Sequence, residues 1–150
     1  MADVDRGVST TLGYTLNLAI ATVLVTGLLV AAGGYVEDQQ QRAIRSELEV
    51  IGARIAGDVT AVDRLARSGT DPTVAVTVST PVTTTGVPYR IAINRSGNDQ
   101  IVLSTTDPAV TVTVPYNTTK AVQPSSVSGG TFVLRYDGTP TSITVEDVDG

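Results

Sequence analysis

The sequence predicts an α+β protein: a long N-terminal helix, apolar in its first half and amphipathic in its second, packed on an antiparallel β-sheet head. Three observations carry that prediction. Thirty residues, Gly7 to Val36, hold no charged side chain. From Ile44 to Ala66 apolar residues recur in steps of three and four. After Pro72 apolar and polar residues alternate, which is the period of a strand.

The uncharged run comes first. A bilayer core of about 30 Å needs about 20 apolar residues in a helix, and Leu12 to Val36 meets that length. Tyr14 and Tyr35 stand near its ends, about 31 Å apart on a helix, the spacing of two interfacial aromatic belts. Three roles compete for such a segment: a cleaved secretion signal, a permanent anchor, or an assembly helix stored in the membrane. A secretion signal wants a basic leader and a short apolar run. Here the leader MADVDRG carries two Asp against one Arg, the run is long, and Val30-Ala31-Ala32 is the cleavage site such a signal would use. Arg6 lies before the run and Arg42 and Arg45 after it, so loop charge does not set the orientation. The acidic, Thr-rich remainder points to an external head.

The helix continues past the run. Ile44, Leu48, Ile51, Ile55, Val59, Val62 and Ala66, with Leu65 beside the last, average about 3.67 residues per step, close to the helical period. Arg42, Arg45, Glu47, Glu49, Arg54, Asp58, Asp63 and Arg64 supply a polar face. No Pro occurs between Met1 and Asp71, so one helix from about Ser9 to about Ser68 is expected, with Gly69 as its C′ residue and Pro72 beyond. Gly33-Gly34 is its weak point, each Gly costing up to about 1 kcal/mol.

The head follows as six alternating segments. Val74, Val76 and Val78 share one face; so do Tyr89, Ile91 and Ile93, then Val110, Val112 and Val114, then Phe132, Leu134 and Tyr136, then Ile143, Val145 and Asp147. QIVLST is the sixth segment. Turn-forming residues separate them, Arg95 to Gln100 reads as a hairpin connection, and Tyr116 to Gly130 as a loop. Five or six antiparallel strands are expected to lie on the Ile44–Ala66 stripe. The resulting organisation is leader 1–7, apolar helix 8–36, amphipathic helix 37–68 and head 73–150.

Composition narrows the function. The chain has no Cys and no His, so thiolate chemistry, a leader lipid on Cys and the commonest general base are absent. The net charge is −5 and no basic patch stands out, which argues against nucleic acid. The acids are mostly Asp, and the bases are all Arg except Lys120, a bias that fits solvation in high salt. Lys120 has no nucleophile turn around it, and Glu146, Asp147 and Asp149 do not converge on one strand face, so neither an enzyme nor a cofactor or metal is expected. Asn94-Arg95-Ser96 and Asn117-Thr118-Thr119 match the N-glycosylation acceptor pattern.

A short charged leader ending in Arg6-Gly7, an uncharged helix directly after it, an amphipathic continuation and a β-head together resemble the type IV pilin-like superfamily. RGVSTTLGYTLNLAIA is most similar to the pilin-like proteins of halophilic archaea. The resemblance implies a membrane aspartyl peptidase (the prepilin peptidase) that cuts between Gly7 and Val8 and uses Arg6 as its basic determinant. It implies a subunit held in the membrane, then moved by an assembly ATPase and a platform protein into a filament of identical or related subunits. The sequence departs from many bacterial pilins in carrying Leu12 at the fifth mature position instead of Glu, and from many archaeal relatives in carrying Ser9-Thr10 instead of Ser-Pro.

Between neighbouring helices, Asn17 and the threonines Thr15, Thr22 and Thr26 are candidate hydrogen-bonding groups, and Gly27 with Ala31 forms a small-x-x-x-small pair that permits close approach. The alternative for the threonines is that each satisfies its own helix backbone. The alternative for the whole chain is a single-pass anchored surface protein whose β-head binds a partner without polymerising.

Overall fold

The computed structural model describes residues 2–69, 72–94, 99–138 and 142–148, with residues 2–10 described as backbone alone. The chain divides into two compact units, Met1–Gln40 and Gln41–Gly150. One helix, α1 (Ala2–Leu65), supplies the described part of the first unit and the opening element of the second. It begins earlier than the sequence suggests and runs unbroken through Gly33 and Gly34. It closes three residues before Ser68. Arg67 and Ser68 donate their N–H groups to the carbonyls of Arg64 and Leu65, and the Ser68 hydroxyl also donates to Leu65. The last turn therefore tightens to i→i−3 bonds.

The second unit contains nine strands among the described residues. The six foreseen are β1 (Val74–Ser79), β3 (Val87–Asn94), β4 (Gln100–Thr106), β5 (Ala109–Pro115), β8 (Thr131–Tyr136) and β9 (Ser142–Asp147). Three short ones join them: β2 (Thr83–Thr84), β6 (Ala121–Val122) and β7 (Ser125–Ser128). The stretch expected to be a loop, Tyr116 to Gly130, thus holds two strands. They form two sheets. One runs β1-β8-β9-β6; the other runs β2-β3-β4-β5, with β7 sharing the β2 side of β3. Every pairing among the six foreseen strands is antiparallel, as expected, and the short β6 adds one parallel contact to β9. β7 lies against β9, so the two sheets adjoin there.

The alternation sets which face is buried. Tyr89, Ile91 and Ile93 of β3, Ile101 and Leu103 of β4, Val110 and Val112 of β5, and Phe132, Leu134 and Tyr136 of β8 all point into one core. The helical stripe supplies its other wall: Ile44, Leu48, Ile51, Ile55, Val59, Val62 and Ala66 are all buried, while Leu65 is half exposed at 49%. Each large apolar side chain so buried contributes about 1.5–3 kcal/mol relative to exposure. At Gly52 the side chains of Val114 and Leu103 pack directly on the helix backbone: a Cβ there would lie 2.7 Å from Val114 Cγ2 and 2.8 Å from Leu103 Cδ1.

Two helix carboxylates flank the stripe, about 80° to either side of it. On one shoulder Glu47 Oε2 accepts from the Thr84 hydroxyl at 2.6 Å and the Thr85 N–H at 3.1 Å. On the other, buried Asp63 accepts the N–H groups of Thr119 and Lys120 at 3.0 and 2.7 Å through Oδ1, and pairs with Arg67 at 3.1 Å through Oδ2. Each carboxylate thereby ties a connecting segment of the sheets to α1.

The Glu47 side holds a two-residue hairpin turn. Thr84 pairs with Val87 across Thr85 and Gly86, whose φ values are 47° and 79°. Both central residues are left-handed, as a type I′ turn requires, and a β-branched residue is a poor occupant of the first. Thr85→Asn is expected to stabilise the protein by about 1 kcal/mol, read as a higher urea midpoint at unchanged slope.

Beside this turn, Tyr89 is buried and donates its hydroxyl to the Pro81 carbonyl at 2.7 Å. Burial pushes its phenol above the ordinary 10.0, and the nearby Glu47 charge adds to the rise while the Thr80 hydroxyl opposes it. Above pH 10 an unfolded tyrosine loses its proton first, so the unfolded state holds fewer protons and stability falls. Urea midpoints are expected to fall as the pH rises past about 10, and Tyr89→Phe to flatten that fall.

Candidate membrane and assembly segment

From Thr11 to Val36 every described side chain of α1 is exposed. Leu12, Leu16, Leu18, Ile20, Val23, Leu24, Val25, Leu28, Leu29 and Val30 stand between 51% and 74% open. A run of this length and hydropathy is long and apolar enough to cross a membrane. Water is a poor surrounding for it, because soluble monomers do not carry apolar patches of this extent. The run ends where Glu37 and Asp38 begin the polar part of the helix.

Three threonines within the segment bond to the helix's own backbone. Thr15 donates to the carbonyls of Thr11 and Leu12, both at 3.0 Å. Thr22 and Thr26 donate to Leu18 and Thr22, both at 2.8 Å. These bonds are the local ones foreseen as the alternative, and each hydroxyl oxygen keeps acceptor capacity toward a neighbouring helix. Their hydroxyls lie along one side of the helix. Asn17, Gly27 and Ala31 lie within about 80° of arc on the other side. All three are exposed, and a Cβ added at Gly27 would meet nothing within 4 Å. The structure therefore brings the three assembly candidates onto one broad face, with a carboxamide, a missing side chain and a methyl group along it.

The remaining sequence candidates fall elsewhere. Arg6, Gly7 and Val8 have helical backbone at the start of α1; their side chains lie outside those described. Asn94 ends β3 opposite Gln100, and its partners in the acceptor motif, Arg95 and Ser96, lie outside the described residues. Asn117 is exposed between β5 and β6. Glu146 pairs with Arg135 Nε at 3.4 Å, and Asp149 lies outside the described residues. Lys120 Nζ sits 5.3 Å from the centre of the Tyr136 ring. No group of three potential metal ligands occurs among the described residues.

The sequence pattern did not reveal the carboxylates Glu47 and Asp63 as sheet anchors. The available signal was positional: each is an acid directly beside a stripe residue, Leu48 or Val62, where a purely solvated charge is not needed. No curated protein and no solved structure matches the chain. A family model described as a family of unknown function, DUF7266, matches residues 3–147, and the chain belongs to that family.

Proposed function

We propose that the chain is a pilin-like structural subunit of a cell-surface filament. In this reading its apolar helix first anchors it in the membrane with the head outside, and later joins it to identical or related subunits. The observation that carries the reading is the character of α1: exposed and apolar over 11–36, then a core element of the β-head from Ile44 onward. A helix that is apolar all round is stable both in lipid and inside a helical bundle. The face of Asn17, Gly27 and Ala31 suits close approach of a second helix, since small residues and a lone carboxamide are what such contacts use. The peptidase would cut after Gly7, leaving the whole apolar segment on the mature subunit. An ATPase and a platform protein would drive assembly.

The test is the N-terminus of the protein taken from its native cells, read by mass spectrometry in membrane and shed fractions. A start at Val8 is expected. A start at Met1 or Ala2 would make the chain a plain anchored protein and overturn the reading. A start near Gly33 would make the apolar segment a discarded secretion signal and overturn it as well.

A further inference from the structure

The two acceptor motifs stand in unlike surroundings. Asn94 is a rung of the β3–β4 ladder and only partly open. Asn117 comes just after the last backbone link of the β5 end, where the Tyr116 N–H donates to the Asp99 carbonyl at 3.1 Å. It is exposed, belongs to no strand, and its carboxamide has no hydrogen-bond partner among the described residues. Two positions on, Thr119 is also exposed, and its hydroxyl has no partner among the described residues. The Thr119 and Lys120 N–H groups are bonded to Asp63, so seating this motif in a transferase would release at most two hydrogen bonds and no rung of a sheet.

We propose that Asn117 is an N-glycosylation site and that Asn94 is not. The motif demands a carboxamide and a hydroxyl two residues later, both reachable by a transferase. At Asn117 both are open to solvent. At Asn94 the backbone is committed to β3, and drawing it into a second active site would break rungs of the ladder. In the reaction the Asn117 amide nitrogen forms a bond to the anomeric carbon of a sugar carried on a lipid phosphate. The bond from that carbon to the phosphate oxygen breaks, the lipid phosphate leaves, and the nitrogen gives up one proton. Nothing is oxidised or reduced. The sugar donor and the transferase are supplied by the cell.

The proposal rests on the head being exported, as in the function proposed above. The experiment is peptide mass spectrometry of the full chain purified from its native cells. A glycan mass is expected on the peptide containing Asn117. It is expected to vanish in Asn117→Gln and Thr119→Ala, and to persist in Thr119→Ser and Asn94→Gln. A bare Asn117, or a glycan on Asn94, overturns the proposal. The same spectra give the N-terminus. A start at Val8 with a bare Asn117 sinks the glycan alone, and an intact Met1 with a glycan on Asn117 sinks the filament subunit alone.

Discussion

Asp63→Ala is expected to destabilise the head by about 3 kcal/mol, the largest effect of any single polar substitution in it. Asp63 is only 2% exposed, and one of its oxygens serves two backbone N–H groups. Alanine leaves the Thr119 and Lys120 donors without an acceptor and removes the link between this segment and α1. Asp63→Asn separates charge from geometry. Its carbonyl oxygen can still accept both N–H groups, while its NH2 faces Arg67, which is 47% exposed and free to swing into water. The Asn variant is therefore expected to lose only about 1 kcal/mol, and Arg67→Ala less than that, as for a half-solvated ion pair. Urea unfolding of the full chain in detergent, followed by far-UV circular dichroism, measures all three. An Asp63→Ala loss no greater than that of Arg67→Ala would show that the two N–H groups find other partners.

Gly52→Val is expected to cost about 3 kcal/mol, against the normal direction for a helix interior. In an open helix, replacing Gly lowers the free energy by up to about 1 kcal/mol. At position 52 the new Cβ already falls inside the contact distance of Val114 and Leu103, and Val114 is too short and stiff to turn aside. The branched methyls of valine enlarge the conflict and push β4 and β5 off the helix. Gly57→Ala is the control. Gly57 lies exposed on the same helix, a methyl group there would meet nothing within 4 Å, and the substitution is expected to stabilise by about 0.5–1 kcal/mol. Opposite signs from two glycines only five residues apart would locate the close approach at Gly52. A stabilising Gly52→Ala would place it elsewhere.

Much of the fold was legible because apolar side chains report their surroundings one residue at a time. The stripe from Ile44 to Ala66 is buried at every position named from its spacing. The alternations in β3, β5 and β8 likewise point inward as read. What escaped was polar or non-local. β7 is Ser-Ser-Val-Ser, with one apolar residue to reveal a face, and its existence depends on β3, more than thirty residues earlier. β6 has two residues and a parallel partner twenty-one positions on, beyond any local pattern. Glu47 and Asp63 looked like members of the wet face because a carboxylate carries no sign of which distant N–H it will meet. In the apolar segment the length and exposure were legible. That the threonines donate to their own backbone was one of two compatible readings of the residues.

The placement of the two carboxylates has a mechanical consequence. They lie sixteen residues apart in sequence, about 24 Å along α1, and on opposite flanks of it. A pull along the helix axis would load both attachments at once, with the interlocked stripe between them, so the sheets would have to shear. Peeling would need one end to release first, and each end is tied. Resistance to a steady load then depends on how fast the whole joint fails rather than on its equilibrium strength. Removing either carboxylate is expected to let that joint fail faster under load.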